Sequence, residues 1–90
     1  MSYKKVDRVA EAELRCAILI HFLDARAVAG MEHDEPFASL CADRIFTWER
    51  IKLIRRSMVS AGLLEQIRGT TADVALKTTE IGRQMLEAQR

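Results

Sequence analysis

The chain has few of the features that mark enzymes, metalloproteins and membrane proteins. It holds one proline and four glycines, and no two glycines are adjacent, so it has neither a proline-rich linker nor a glycine-rich phosphate loop. Its sequence also lacks a nucleophile elbow. Its longest apolar run, Cys16 to Ile20, is far shorter than the roughly 20 residues that cross a bilayer. We therefore expect neither an enzyme active site nor a transmembrane helix.

Cysteine and histidine are equally sparse. Cys16, His21, His33 and Cys41 are scattered, without the Cys-x-x-Cys or His-x-x-x-His spacing that holds zinc. Both cysteines and His21 fall in apolar segments, which predicts packed side chains rather than ligands. The first 15 residues are charged throughout, unlike a secretory signal, and this predicts a cytoplasmic protein with reduced thiols. We expect no metal and no cofactor.

Length and charge narrow the possibilities further. Ninety residues allow one domain, with residues 1–6 flexible, and its core is small enough that pairing with a second copy would add stability. The net charge is only +1, but it is unevenly spread. Met1 to Glu35 carries five Lys/Arg against seven Asp/Glu, whereas Arg44 to Arg68 carries six against two. The basic excess therefore falls on one segment.

A long first helix is predicted from about Asp7 to Arg26, ahead of Gly30. Its inner face is formed by Leu14, Ala17, Ile18 and either Phe22 or His21. Three more apolar residues, Leu19, Ile20 and Leu23, surround its second half. One small core would not cover the whole circumference, so these three residues predict the contact surface of a homodimer.

Two shorter helices follow an acidic loop, Met31 to Glu35. The second helix is predicted over Pro36 to Asp43, with Asp34 or Glu35 near its start and Pro36 at its first helical position. Arg44 to Phe46 forms a turn, and Thr47 is a suitable N-cap for the third helix. This order is helix, turn, helix.

The third helix, Thr47 to Ala61, has two different faces at 100° per residue. Ile51, Ile54 and Met58 form the packed face, and Trp48 covers the core at its edge. The residues predicted to face outward are Glu49, Leu53, Arg56 and Ser60, flanked by Arg50, Lys52 and Ser57. The helix therefore offers a largely polar face to a partner.

A hairpin and a last helix complete the predicted fold. Gly62 suits a left-handed residue after the third helix, and Leu63 to Ile67 starts a strand. The predicted hairpin tip is Arg68 to Asp73, and the returning strand is Val74 to Leu76. Thr78 or Thr79 caps a helix over Glu80 to Gln89, with a packing stripe of Ile81, Met85 and Leu86. The fold class is mostly α with a small β-hairpin (α+β), in the order α-α-α-β-β-α.

Two segments resemble the winged helix-turn-helix domain. Thr47 to Leu64 is similar to its recognition helix, because it is capped, basic, stopped by glycine and followed by an apolar strand. Leu76 to Arg83 is similar to the second wing strand running into the last helix, which in relatives often reads leucine, threonine, variable, variable, glycine. The resemblance covers about Glu13 to Ala88 and is to small repressors of the multiple-antibiotic-resistance (MarR) and phenolic-acid (PadR) regulator types.

The resemblance implies a transcription regulator that binds double-stranded DNA. The third helix would lie in the major groove, the hairpin over about Leu64 to Leu76 would touch the backbone, and the first or last helix would form a homodimer. The implied DNA-contacting residues are Thr47, Glu49, Arg50, Lys52, Leu53, Arg56, Ser57, Arg68 and Thr70. The cluster expected to neutralise phosphates is Arg50, Lys52, Arg55, Arg56 and Arg68.

Two outward residues keep a second function open. Leu53 could touch a thymine methyl group or mark a protein contact, and Glu49 opposes phosphates unless it accepts from a cytosine amino group. The wing could equally be a plain structural hairpin, and the third helix a solvated amphipathic one. The alternative is a winged-helix protein-interaction module, such as a small inhibitor, adaptor or assembly subunit.

Overall fold

The computed structural model describes residues 3–67 and 74–89, with side chains described from residue 10 onward. Within these ranges the chain forms four α-helices and a three-stranded antiparallel sheet. The elements are α1 (Tyr3–His21), β1 (Arg26–Ala27), α2 (Phe37–Ala42), α3 (Trp48–Ser60), β2 (Leu64–Gln66), β3 (Ala75–Thr78) and α4 (Glu80–Ala88). This α+β composition confirms the predicted fold class in its coarse form.

The first helix ends at His21, so its predicted extension to Arg26 is wrong. Thr78 of β3 binds the chain at this end: its hydroxyl donates to the carbonyl of Leu19 at 2.7 Å, and its backbone N donates at 2.7 Å to the carbonyl of Phe22, just beyond the helix. The backbone after His21 is therefore held against the sheet and does not continue the helix. The chain then turns and Arg26 enters a strand.

The sheet has the order β1-β3-β2, one strand more than the predicted hairpin. Arg26 pairs with Leu76 on one side of β3, and Leu64 pairs with Thr78 on the other. Strand β1 has two residues, too few for an alternation of apolar and polar positions to be visible in the sequence. The returning strand also extends to Thr78, beyond the predicted Leu76.

One core joins the helices to the inner face of the sheet. Its largest fully buried side chains are Leu14, Ile18, Leu19, Phe22, Met31, Phe37, Ile51, Met58, Leu64 and Leu76. Cys16, Cys41 and Trp48 are partly buried against this core, in agreement with their predicted packing. Both cysteines are free thiols.

The segment before α2 differs from its predicted structure in two ways. Met31 to His33 forms a 3-10 helix whose first residue is fully buried, where an acidic loop was expected. Pro36 is the N-cap residue of α2 and not its first helical residue, and no side chain caps this helix by a hydrogen bond. The helix remains held at its start by the burial of Phe37.

The predicted starts of α3 and α4 are confirmed by their N-cap hydrogen bonds, and α4 ends at Ala88, one residue before the predicted Gln89. The Thr47 hydroxyl accepts from the backbone N of Arg50 at 3.1 Å, and the Thr79 hydroxyl accepts from that of Gly82 at 3.1 Å. Gly62 has φ of 81°, the left-handed conformation that ends α3 and turns the chain into β2. Local chemistry therefore sets both helices.

The packing stripe predicted for α4 is wrong in two of its three members. Leu86 is buried, but Ile81 is 59% exposed and Met85 is also exposed. Gly82 faces inward instead, because a Cβ at this residue would lie 2.5 Å from the Leu63 carbonyl oxygen and 3.0 Å from the Leu19 side chain. The missing side chain lets α4 approach the rest of the fold closely.

Leu19, predicted to lie in a homodimer surface, is 1% exposed and belongs to the core of a single chain. Its position on that surface is therefore wrong, and Leu23 is also partly buried. Ile20 alone of the three is exposed, beside a groove between α1 and Gln89. The homodimer remains a prediction, which light scattering at micromolar concentration tests directly.

His21 closes α1 as a packed histidine, as predicted, with its side chain 5% exposed. Its ring makes edge contacts with Phe22 and Phe37, at centroid distances of 4.7 and 5.3 Å. Burial, with a smaller contribution from the cation of Arg26, lowers the pKa of His21, while the carboxylate of Asp34 opposes this shift. The folded protein therefore favours neutral His21.

We expect the free energy of unfolding to fall as the pH drops through about 6.5, the usual histidine value. A lowered pKa in the fold means that the unfolded chain binds the proton first. The contribution of neutral His21 to stability is therefore complete above that pH and is lost progressively below it. Urea denaturation of the parent and His21→Gln from pH 7.5 to 5 measures this. Removal of the exposed His33 by His33→Gln is the control, and an equal pH dependence in parent and His21→Gln would contradict the assignment.

Candidate nucleic-acid interface

The outer face of α3 is set by how its inner face packs. Ile51, Ile54 and Met58 are buried, as predicted, and they fix the rotation of the helix. Glu49, Leu53, Arg56 and Ser60 are consequently exposed, which confirms the predicted outward set. Leu53 has 59% of its surface exposed in this single chain.

Arg55 does not belong to this face. It was expected among the phosphate-neutralising cations, but it is only 2% exposed, and its Nη1 lies 3.9 Å from the sulfur of Met31. At 100° per residue, Arg55 lies within about 60° of both Ile51 and Met58, so the helical spacing already carried this signal. One cation of the predicted phosphate-neutralising cluster, Arg55, is therefore buried in the core.

The remaining cations of α3 lie on opposite margins of the outer face. Taking Leu53 as its centre, Arg50 is about 60° away on one side and Lys52 about 100° away on the other, with Arg56 beside Lys52. Arg50 and Arg56 are exposed, and Lys52 is half-buried. The helix therefore presents Leu53 and Ser60 at the centre of its outer face, with the Glu49 carboxylate about 40° from Leu53, between two basic margins.

On each margin a cation forms an ion pair with a carboxylate. Arg50 Nη2 lies 3.4 Å from Glu11 Oε2, and Lys52 Nζ lies 3.0 Å from Glu49 Oε1. Each pair has one well-exposed member and one that is about 30% exposed, so the pairs add little to stability but reduce the positive potential of α3. Glu11, in α1, was not among the predicted site residues, because nothing in the local sequence links it to position 50.

Two polar site residues use their hydroxyls within the helix. The hydroxyl of Thr47 accepts from the backbone of Arg50, and that of Ser57 donates to the Ile54 carbonyl at 2.7 Å. Both residues are exposed at the helix surface. A hydroxyl oxygen retains acceptor capacity after one such bond, so each can still contact a ligand.

The wing is described only at its strands. Arg68 and Thr70, both predicted to touch DNA, lie outside the described residues. On the described part, Lys77 is half-buried on β3 and pairs in register with Glu65 of β2. Lys77 lies outside the basic segment Arg44 to Arg68, so the distribution of charge along the sequence does not indicate it.

Residues 3–67 and 74–89 form neither a metal-ligand cluster nor a membrane-spanning helix. This part of the chain brings together no group of three His, Cys, Asp or Glu residues able to hold a metal ion. No helix among the described residues is both long and apolar enough to cross a membrane. The surface of α3 is the arrangement with the clearest chemical use.

Comparison with protein-family models, curated proteins and solved structures finds no match to this chain.

Proposed function

We propose that this protein is a winged helix-turn-helix transcription regulator that binds double-stranded DNA through α3. The observation that carries the proposal is the exposed outer face of α3, on which Leu53 lies between the cation Arg50 on one margin and the cations Lys52 and Arg56 on the other. An α-helix fits the major groove, and its centre then meets base edges while its margins approach phosphates on the two strands. The order of charges on α3 suits this contact.

The neighbouring elements support the same proposal. Helix α3 follows α2 after a short turn and packs against α1 and β2, and its end leads through Gly62 directly into the β2–β3 hairpin. A hairpin so close to the recognition helix can touch the DNA backbone beside it. By this proposal Arg56 contacts base edges or phosphate from the margin that it shares with Lys52.

We expect Arg56→Ala to weaken binding to a preferred site by about 1 to 3 kcal/mol, because one arginine contact is lost, while the fold stays intact. Arg56 is exposed, so its truncation leaves the core unchanged. The preferred site comes from selection on random duplexes, and titration with that duplex gives the affinity. Arg83→Ala removes an equal charge from α4, beside Leu23, and is the matched control. Equal losses in the two variants would contradict a specific contact by Arg56.

A second function, protein binding, is favoured by the exposure of Leu53 and by the carboxylates beside Arg50 and Lys52. An apolar side chain at the centre of a contact commonly carries much of its binding energy. In this case α3 would dock on a partner protein as a winged-helix adaptor or inhibitor.

We expect Leu53→Ala to separate the two functions. On DNA it should change affinity by less than about 1.5 kcal/mol, the worth of a thymine methyl contact, whereas a protein interface should lose at least about 2 kcal/mol. The experiment compares pull-downs with parent and Leu53→Ala alongside the DNA selection. One stoichiometric protein partner that is lost with Leu53→Ala, together with no enriched DNA sequence, would replace the DNA proposal.

A further inference from the structure

Among the described side chains of α1, Glu11 forms an ion pair with α3. Its Oε2 lies 3.4 Å from Arg50 Nη2, and its Oε1 lies 3.3 Å from Arg15 Nη2, one turn along α1. Both carboxylate oxygens therefore face an arginine. The Glu11 side chain is 28% exposed, which makes it the more sheltered member of each pair.

Arg50 is held from two directions. Its backbone N donates to the Thr47 hydroxyl, which fixes its position in the first turn of α3, and its guanidinium meets Glu11 across a groove. That groove is lined by Glu11, Ile45, Phe46, Thr47 and Arg50. Arg50, in the first turn of α3, is thus linked to α1.

We propose that Glu11 is a positioning residue that tunes the selectivity of DNA binding by Arg50. The inference rests on the proposed function and names how that same surface is regulated. A guanidinium has five N–H donors, so the one nitrogen shared with Glu11 leaves others for DNA. When Glu11 holds the Arg50 guanidinium in one place, less conformational entropy is lost on binding a DNA site that fits this position.

The charge of Glu11 weakens binding to DNA of arbitrary sequence. A carboxylate beside Arg50 offsets the attraction of that cation to phosphates, and phosphate attraction supplies nearly all non-specific affinity. Glu11 therefore lowers general binding more than binding at a fitting site. Such weakening of the wrong complex is a recognised route to specificity.

The test compares Glu11→Gln with Glu13→Gln, an exposed glutamate two residues along the same helix. Each variant loses one negative charge, but only the first releases Arg50. Affinity is measured for a selected duplex and for a random duplex over a series of salt concentrations. The same pair of substitutions is then made in an Arg50→Ala background.

We expect Glu11→Gln to bind random duplex about threefold to tenfold more tightly at low salt, with a salt slope steeper by about 0.9, as one more phosphate is neutralised. The ratio of selected to random affinity should fall. In the Arg50→Ala background, Glu11→Gln should match Glu13→Gln. A merely structural role would not change the salt slope.

Failure of the positioning role can be distinguished from failure of the proposed function. If the parent binds DNA but Glu11→Gln and Glu13→Gln give the same slope and the same selectivity, the positioning role is wrong and the proposed function stands. A gain in Glu11→Gln that persists without Arg50 also overturns the role, since it then acts by charge alone or through Arg15. If the parent binds no duplex at low salt, the proposed function fails and the inference fails with it.

Discussion

Gly82→Ala should lower the free energy of unfolding by about 2 to 3 kcal/mol, because it inserts a methyl group where α4 packs against α1, β3 and the backbone before β2. The new Cβ would lie 2.5 Å from the Leu63 carbonyl oxygen, 2.7 Å from Thr78 Cγ2 and 3.0 Å from Leu19 Cδ2. The first of these atoms is backbone and cannot rotate away. The overlap outweighs the gain of up to about 1 kcal/mol that alanine normally brings to a helix interior.

Gln84→Ala is the matched control, since residue 84 is exposed on the same helix. Its substitution should change stability by no more than about 0.5 kcal/mol. Urea denaturation at neutral pH measures both variants. A Gly82→Ala protein as stable as the parent would show that α4 does not pack this closely against Leu63 and Leu19.

Arg55→Ala should cost about 2 to 4 kcal/mol of stability, because it removes a long side chain from the core and leaves the groups around it without their contacts. Arg55 is 2% exposed and its Nη1 approaches the buried sulfur of Met31, which links α3 to the 3-10 helix before α2. A neighbouring arginine of the same helix gives a sharp comparison, since Arg56 is exposed.

Urea and thermal unfolding should therefore show a loss of stability, relative to the parent, of about 2 to 4 kcal/mol in Arg55→Ala and of about 0.5 kcal/mol or less in Arg56→Ala. Arg55→Met, which keeps most of the apolar stem, should fall between them. The opposite order, with Arg55→Ala stable but weak on DNA and Arg56→Ala unstable, would mean that the rotation of α3 is wrong.

The parts of the fold that depend on local chemistry were predictable from the sequence. Thr47, Thr79 and Gly62 act at the ends of α3 and α4, where their side chains or backbone freedom have a direct local role. The faces of α3 followed from helical spacing, because a 13-residue helix repeats its pattern often enough to be read.

The parts that depend on distant residues were not predictable. The end of α1 is set by Thr78, some 56 residues later, and the two-residue strand β1 exists only because β3 pairs with it. The rotation of α4 depends on the close approach that Gly82 permits, which reversed the expected places of Ile81 and Met85. Within the candidate site, the pairing of Glu11 with Arg50 is likewise a tertiary contact.

The most direct measurement of the central claim, that α3 binds duplex DNA, is fluorescence anisotropy of a labelled random duplex at 50 and 200 mM salt. The three cations on the outer side of α3, Arg50, Lys52 and Arg56, give about two to three phosphate contacts per chain, so affinity should fall by roughly 12- to 40-fold between the two concentrations. Lys52→Ala should reduce the salt slope by about 1. Absence of binding by the parent at 50 mM salt, or a slope unchanged in Lys52→Ala, would contradict the claim.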